Sequence, residues 1–294
     1  MGLVFAAIAP HGGLAIAEAC EPHEVDTAAV TRAGMEELGR AFEDSKPDVI
    51  VIASPHNVHI SGAIGVIVAA RMSGHLPDGY ESVALDVACD ASLAWLMLDT
   101  MTADGLSAVG VSFGANDPAA AVAPMDWGVL IPLWFMGGRK DPPVPLVVVA
   151  PSRDLPAEAH VRAGAAIARA AALSRKRVAF VASADHGHAH RAGGPYGYHP
   201  DAKTYDELVC KLVRTNRLDE LSTIPLDLVE TAKADSWWQM LMLSGAMGDG
   251  WTGRLISYEA PTYFGMLTAA YEPSASLGSA SQPGTRTRRR TPVL

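Results

Sequence analysis

Cysteine is scarce. The 294 residues contain three, Cys20, Cys89 and Cys210, widely spaced and without any Cys-x-x-Cys pair. Neither a disulfide framework nor a thiolate zinc site is indicated, and a reducing, cytoplasmic setting is expected. No apolar run approaches the length of a membrane span. The N-terminal run Gly2-Leu-Val-Phe-Ala-Ala-Ile-Ala9 stops at Pro10-His11 and follows no basic segment, so a buried strand is expected there rather than a leader. Positive charge is also short. The net charge is −9, and the basic cluster Arg286, Arg288, Arg289 and Arg290 sits in a Ser/Gly/Pro-rich tail, which argues against a nucleic-acid partner. There is no Gly-x-Gly-x-x-Gly after the first apolar run and no P-loop, so nucleotide binding has no support. Internal repeats are absent, and no linker-like stretch precedes about residue 273.

What is present has the composition of an α/β protein, with 49% hydrophobic and 19% charged residues. Short Val/Ile-rich runs bounded by breakers predict strands at 3–9, 48–54, 145–150 and 177–183. Between and after them, helical periodicity predicts helices at 25–44, 91–104, 156–174, 201–215 and 235–247. Strand and helix alternate, so the expected fold is a single compact α/β domain over residues 1–273, with a mainly parallel central sheet covered by helices. Its active site is expected at the C-terminal strand edges. Residues 274–294 are expected to form a disordered basic tail.

Three of the predicted strands run into histidine. The first ends in Ala9-Pro10-His11-Gly12-Gly13, the second in Ala53-Ser54-Pro55-His56-Asn57, and the fourth in Ser183-Ala-Asp-His-Gly-His-Ala-His190. Strand ends on one edge of a sheet form a common crevice, so His11 and His56 are candidates to meet although far apart in the chain. Two neutral imidazoles suit a divalent transition metal, and a carboxylate would complete a facial triad that leaves positions open for substrate and oxygen. On an extended backbone, His186, His188 and His190 would share one face. A single histidine at a strand end is more often an ordinary hydrogen-bonding loop residue; the matched Pro-His ends are what favour a metal.

At these residues the chain resembles the class III extradiol ring-cleavage dioxygenases, the superfamily of the protocatechuate 4,5-dioxygenase β subunit and the dihydroxyphenylpropionate dioxygenases. Four motifs carry the resemblance, in register over about residues 3–270: Pro10-His11-Gly12; Ile52-Ala-Ser-Pro-His56; Asp126-Trp127-Gly128-Val-Leu-Ile-Pro132-Leu133; and Arg177-Val-Ala-Phe-Val-Ala-Ser183-Ala-Asp-His-Gly-His188. The resemblance implies that His11 and His56 bind non-haem Fe(II) and that His188 is the acid-base residue. It implies a catechol-type substrate, O2 as co-substrate, and a hydroxymuconic semialdehyde-type product. A homo-oligomer or a pairing with a second subunit is expected on the same basis.

Two departures stand out. The family's third ligand is a glutamate at the start of a late helix; here the nearest carboxylate is Asp235, which is either that ligand or a helix N-cap. Glu230 lies further upstream, where a solvated helix face is the more ordinary role. Trp127 stands where several relatives carry histidine, and is expected either to narrow the substrate pocket or to pack in the core. His186, His190, His59 and Tyr198 are further candidate substrate contacts, with Tyr196 and His199 in the same loop as Tyr198. His59 also serves as a fallback ligand. Asp185 either orients an imidazole or serves a turn. No Arg/Lys clamp lies in the motifs, while Trp127, Trp134, Phe135 and Trp237-Trp238 suggest an aromatic wall, so an apolar or fused-ring catechol is the expected substrate. Two other functions use the same residues: a zinc hydrolase working through metal-bound hydroxide, and a redox, signalling or binding member of the superfold without dioxygenase activity.

Overall fold

The computed structural model describes residues 1–76 and 83–274. The tail arginines therefore lie outside the described residues. In chain order the elements are β1 (Gly2–Ala9), α1 (Ala29–Ser45), β2 (Val49–Ala53), β3 (Ile64–Ile67), β4 (Arg71–His75), β5 (Ala84–Ala88), α2 (Ala91–Ala103), β6 (Ala108–Val111), β7 (Val122–Pro124) and α3 (Trp127–Phe135). They continue as β8 (Leu146–Ala150), α4 (Ala157–Ser174), β9 (Arg177–Ser183), α5 (Pro200–Arg214), α6 (Leu226–Thr231), α7 (Trp237–Met247), β10 (Trp251–Glu259) and β11 (Met266–Pro273).

Eight strands form one sheet in the order β10-β11-β1-β9-β2-β8-β3-β6, and β5-β4-β7 form a small second sheet. The four central strands β1, β9, β2 and β8 run parallel. β11 pairs antiparallel on one side and β3 on the other. The four expected strands are these four central ones, and their residue pattern explains why they sit there. Successive side chains alternate between faces, and both faces are covered: Ala6, Ile8, Val49, Val51, Val178 and Phe180 enter one core, while Phe5, Ala7, Ile50, Ile52, Ala179 and Val181 enter the other. A strand buried on both sides has to be apolar at every position, which is why it reads as a continuous run. The first core is closed by α2, α4, α5 and α7; the second by α1, α3 and the small sheet.

The five predicted helices form, with α1 starting at Ala29 after a stretch of turns. No helix among the described residues is long and apolar enough to cross a membrane.

Helices α4 and α7 approach each other through glycine. A Cβ on Gly164 would overlap the Met242 carbonyl oxygen, and one on Gly245 would overlap that of Val161. Each helix thus presents a bare Cα to the other's backbone. In an open helix Gly→Ala stabilises by about 0.5–1 kcal/mol. Here the sign should reverse: Gly164→Ala and Gly245→Ala are each expected to destabilise by about 1–3 kcal/mol through overpacking, read as a lower midpoint in urea unfolding with an unchanged slope.

Candidate metal centre

Strands β1, β9 and β2 are neighbours, and their last residues are level: Ala9 pairs with Ser183 and Ala53 with Ala182. The chain leaves β1 through Pro10 to His11 and leaves β2 through Pro55 to His56. Their rings meet edge to face, with centroids 4.8 Å apart and planes at 88°. The His56 Nε2 lies 3.0 Å from the His11 Nε2. Asp235, two residues before α7, brings its Oδ2 to 3.1 Å from the His56 Nε2 and 3.5 Å from the His11 Nε2. Asp235 is not an N-cap. Ser236 occupies that position, and no side chain caps the helix.

This triangle fits a cation. Donors about 2.1 Å from one ion and at right angles to each other stand roughly 3.0 Å apart, close to the spacings found. The second Asp235 oxygen, Oδ1, is buried with no hydrogen-bond partner, a costly state for a carboxylate that a bound cation relieves. The electrostatics agree. Burial works against a charged His11, yet Asp185 and Asp235 outweigh it and push its pKa up to about 9. Burial likewise works against an ionised Asp235, but His11 and His56 hold its pKa well below the usual carboxylate range. For Asp185 burial wins, and its pKa is raised. The buried group is an anionic hollow facing two imidazole nitrogens.

The His11 tautomer follows from its partners. Its Nδ1 is 2.9 Å from the Ser183 Oγ, whose own proton is donated to the Gly128 carbonyl. The serine can therefore only accept, so Nδ1 carries a proton, and in the neutral ring that a bound cation would favour the Nε2 lone pair faces the centre. Gly128 is required here because a Cβ would crowd the Ser54 Oγ and an Asp126 oxygen at 2.6 and 2.8 Å. Asp126 caps α3 through Val129 N–H (3.1 Å), accepts from the Ser54 hydroxyl (2.9 Å) and from the Asn57 amide (2.8 Å), and so fixes the turn that carries His56.

The family described as "Catalytic LigB subunit of aromatic ring-opening dioxygenase" matches residues 5–267. The chain belongs to this family. Protein CA_C1420 of Clostridium acetobutylicum is 21% identical over 253 residues, covering 85% of this chain and 53% of the relative. The chain thus spans about half the length of that curated relative. The crystal structure of uncharacterized protein JW3007 from Escherichia coli K12 superposes with a TM-score of 0.56 at 18% identity, over 91% of this chain and 99% of the other. At that identity the likeness concerns the fold.

In this member of the ring-opening dioxygenase family, a cavity of about 800 Å³ opens onto the His11, His56 and Asp235 group. His188 lines it, stacked on Phe264 with ring centroids 5.3 Å apart. Its Nδ1 donates to the His186 carbonyl (2.7 Å), so that in the neutral tautomer Nε2 is the nitrogen with the lone pair. The loop carrying it is pinned from α5. Buried Asp206 accepts from Gly187 N–H (2.8 Å), from the His190 Nε2 (2.9 Å) and from the Tyr258 hydroxyl (2.6 Å).

Trp127 is 47% exposed, so it is not core. It lines the cavity with its ring 4.5 Å from that of His56. Asp185 lines the cavity too, and its Oδ1 accepts the His11 backbone N–H at 3.0 Å. Glu230 and Tyr196 also line it.

His186, His190, His59 and Tyr198 do not line this cavity, contrary to expectation. The shared face expected of residues 186, 188 and 190 does not form, because beyond Ser183 the strand gives way to isolated pairings, Asp185 with Met266 and His190 with Tyr198. His186 is fully buried near Tyr205, with both ring nitrogens unpaired. His190 is taken up by Asp206, Tyr198 is 63% exposed, and His59 is exposed. His199 caps α5 through Asp201 N–H.

Arg153 and Lys233 line the mouth of the cavity and lie outside the sequence motifs. Ala150-Pro151 before Arg153 repeats the Ala9-Pro10 pattern, which was the available signal. Gln239 is also absent from the motif reading; its amide donates to the Asp235 carbonyl (2.7 Å) and to that of Ser183 (2.8 Å).

Removing the Asp206 carboxylate leaves buried donors without an acceptor, at about 1–3 kcal/mol for each group. Asp206→Ala is expected to lower global stability by that order and to raise amide hydrogen exchange at Gly187 more than in the β1–β9 ladder. Uniform exchange across both would contradict a local pinning role.

Proposed function

We propose that the protein is an Fe(II)-dependent extradiol dioxygenase that opens a catechol-type ring beside its two hydroxyls, with both atoms of O2 ending in a hydroxymuconic semialdehyde-type product. The carrying observation is the triangle of His11 Nε2, His56 Nε2 and Asp235 Oδ2, 3.0 to 3.5 Å on a side, at the strand ends of a member of the ring-opening dioxygenase family. His11, His56 and Asp235 would hold the ion. Bound there, iron would supply a shared template for the diol and O2 and a route for electrons between them.

The remaining work belongs to the side chains. His188, with Nδ1–H committed to the His186 carbonyl, offers Nε2 to the proton of a ring hydroxyl and later returns that proton to the opening ring. Its stacking on Phe264 prevents the imidazole from turning away. Trp127 lies against His56 and restricts water there, and Asp185 fixes the His11 backbone. The shorter aspartate serves where relatives use glutamate because its backbone is held at the strand ends by Gln239.

Anaerobic Fe(II) loading followed by oxygen-electrode assays on a catechol and 2-aminophenol panel tests the reading. Oxygen uptake with a yellow ring-opened product is expected. His11→Ala and Asp235→Ala should lose stoichiometric iron. His188→Phe should keep iron but lower turnover by about 10²–10⁴-fold. Hydrolytic activity that persists with Zn(II) in the absence of O2 would replace this reading with the hydrolase one.

A further inference from the structure

A second cavity, of about 440 Å³, shares no wall residue with the one above the metal centre. It sits where α7 ends, against the turn that follows α5 and the open end of the β10–β11 hairpin. At its other end this hairpin meets the first cavity, where Met266 bridges to Asp185; here Trp251 pairs with Pro273. The strand Met266–Pro273 spans roughly 23 Å at 3.3 Å per residue, so the two cavities lie at opposite ends of it. Asn216 braces the second wall. Its amide donates to the Trp251 carbonyl (2.7 Å), and its oxygen accepts the Gly253 N–H (2.8 Å).

Tyr271 lines this cavity from β11 and is 1% exposed, and its hydroxyl is buried with no hydrogen-bond partner. A Cβ on Gly253 would meet Tyr271 Cε1 and Asn216 Oδ1 together, so the hydroxyl end of the ring is turned toward the Asn216 wall. Burial pushes the phenol's pKa up, so it stays neutral. A buried hydroxyl without a partner is costly, and a ligand that donates to its oxygen relieves that cost.

The charge of the wall says what kind of ligand. It carries two carboxylates, Asp219 and Asp249, and no lysine, arginine or histidine. Asp249 has no hydrogen bond or ion pair among the described residues. Arg217, outside the wall, stands 3.8 Å from Asp219 but is held at closer range by Glu220, so these three side chains together remain negative. The last turn of α7 adds its terminal carbonyls, the negative end of the helix dipole. Trp251 and Tyr271 offer rings that suit a cation, and Val161 and Met247 give apolar surface for a carbon chain. A bare metal ion fits less well. Among the described residues, His11, His56 and Asp235 form the one group of three close metal-ligating side chains, and it lies in the other cavity.

We infer that the second cavity binds a small organic cation, a short alkyl chain bearing primary ammonium groups, with Asp219 and Asp249 as counter-charges and the Tyr271 oxygen accepting an ammonium N–H. This stands apart from the dioxygenase reading, since none of these residues lines the first cavity.

The test uses the full chain and two probes of equal length, 1,4-diaminobutane and the uncharged 1,4-butanediol. Affinities are measured by calorimetry, and the site is located by the NMR shift of the Trp251 indole N–H, assigned with Trp251→Phe. The diamine is expected to bind at least about tenfold more tightly than the diol and to move the Trp251 signal. Asp249→Asn should weaken the diamine at least about threefold and reduce the salt dependence of its binding. Tyr271→Phe gives the sharper result. With the unpaired hydroxyl gone, the ligand-free protein should melt no lower than the unaltered one, while the diamine binds about three- to tenfold more weakly. No saturable binding of the diamine up to about 10 mM, equal affinity for the diol, or an affinity indifferent to either substitution overturns the inference. So does a lower melting point for Tyr271→Phe, which would mean that the hydroxyl already has a partner within the protein. Binding that moves the Trp238 indole signal and leaves Trp251 in place would assign the diamine to the first cavity and overturn it equally.

Discussion

Three parallel strands that end level with one another are the constraint on which the site depends. In the β1-β9-β2 ladder, hydrogen bonding fixes Ala9 beside Ser183 and Ala182 beside Ala53. The residues that follow must therefore emerge at the same height within about two strand spacings, roughly 10 Å. Proline at position 10 and at position 55 carries no N–H and ends the ladder there. His11 and His56, 45 positions apart in sequence, then project from opposite sides of β9 and meet above its end. β9 supplies Ser183, which sets the His11 tautomer, and the chain just beyond it supplies Asp185, which fixes the His11 backbone. A sheet with these strands in another order would keep every residue and lose the centre.

Charge explains why the centre wants an occupant. Asp185 and Asp235 are nearly fully buried, and burying carboxylates is expensive unless opposite charge or donors compensate. Without a cation the compensation falls on His11, whose raised pKa is the response of an imidazole to two carboxylates. A divalent ion would take over that role, leaving the imidazoles neutral and the lone Asp235 oxygen satisfied. Outside this hollow the surroundings are built differently. The His188 loop is pinned by a fully bonded carboxylate, Asp206, with no oxygen left over. One buried aspartate is thus satisfied within the protein, while the other keeps an oxygen without a hydrogen-bond partner.

How far the sequence carries this picture depends on which physical signal each part leaves. The central strands are legible because burial on both faces demands unbroken apolar runs, and the Pro-His ends mark where they stop. The family assignment and the α/β fold follow from the same segments and agree with the structure. The helix α3 is not legible by periodicity, since Trp127–Phe135 is buried nearly all round and contains Pro132. The strands β3, β6 and β7 are three or four residues long, and β4 and β5, no shorter than β2 and β8, lack an unbroken apolar run; on the other flank β10 is partly exposed without alternation along its length, while β11 is buried over Met266–Tyr271. The histidines 186, 188 and 190 show the opposite hazard. A period-2 face requires a strand, and the strand ends at Ser183, so only His188 reaches the cavity. Arg153 belongs to no motif, and its stacking on Trp238 is made only by folding.

The carboxylate beside His11 and His56 belongs to an aspartate, one methylene shorter than a glutamate, and the scaffold makes up for its reach. Losing one methylene shortens the side chain's reach by about 1.5 Å, so the backbone has to come closer to the histidines. Two features hold it there. Gln239, fully buried, ties the Asp235 carbonyl and the Ser183 carbonyl through one amide, so the start of α7 cannot drift from the end of β9. Further along, Gly164 and Gly245 let α7 settle onto the backbone of α4, which itself packs on β1. A helix seated deeply against the layer that covers the sheet can deliver a short carboxylate where a helix held off by side chains would need a longer one. In this chain Asp235 depends on the glycines of α4 and α7 as well as on its own identity.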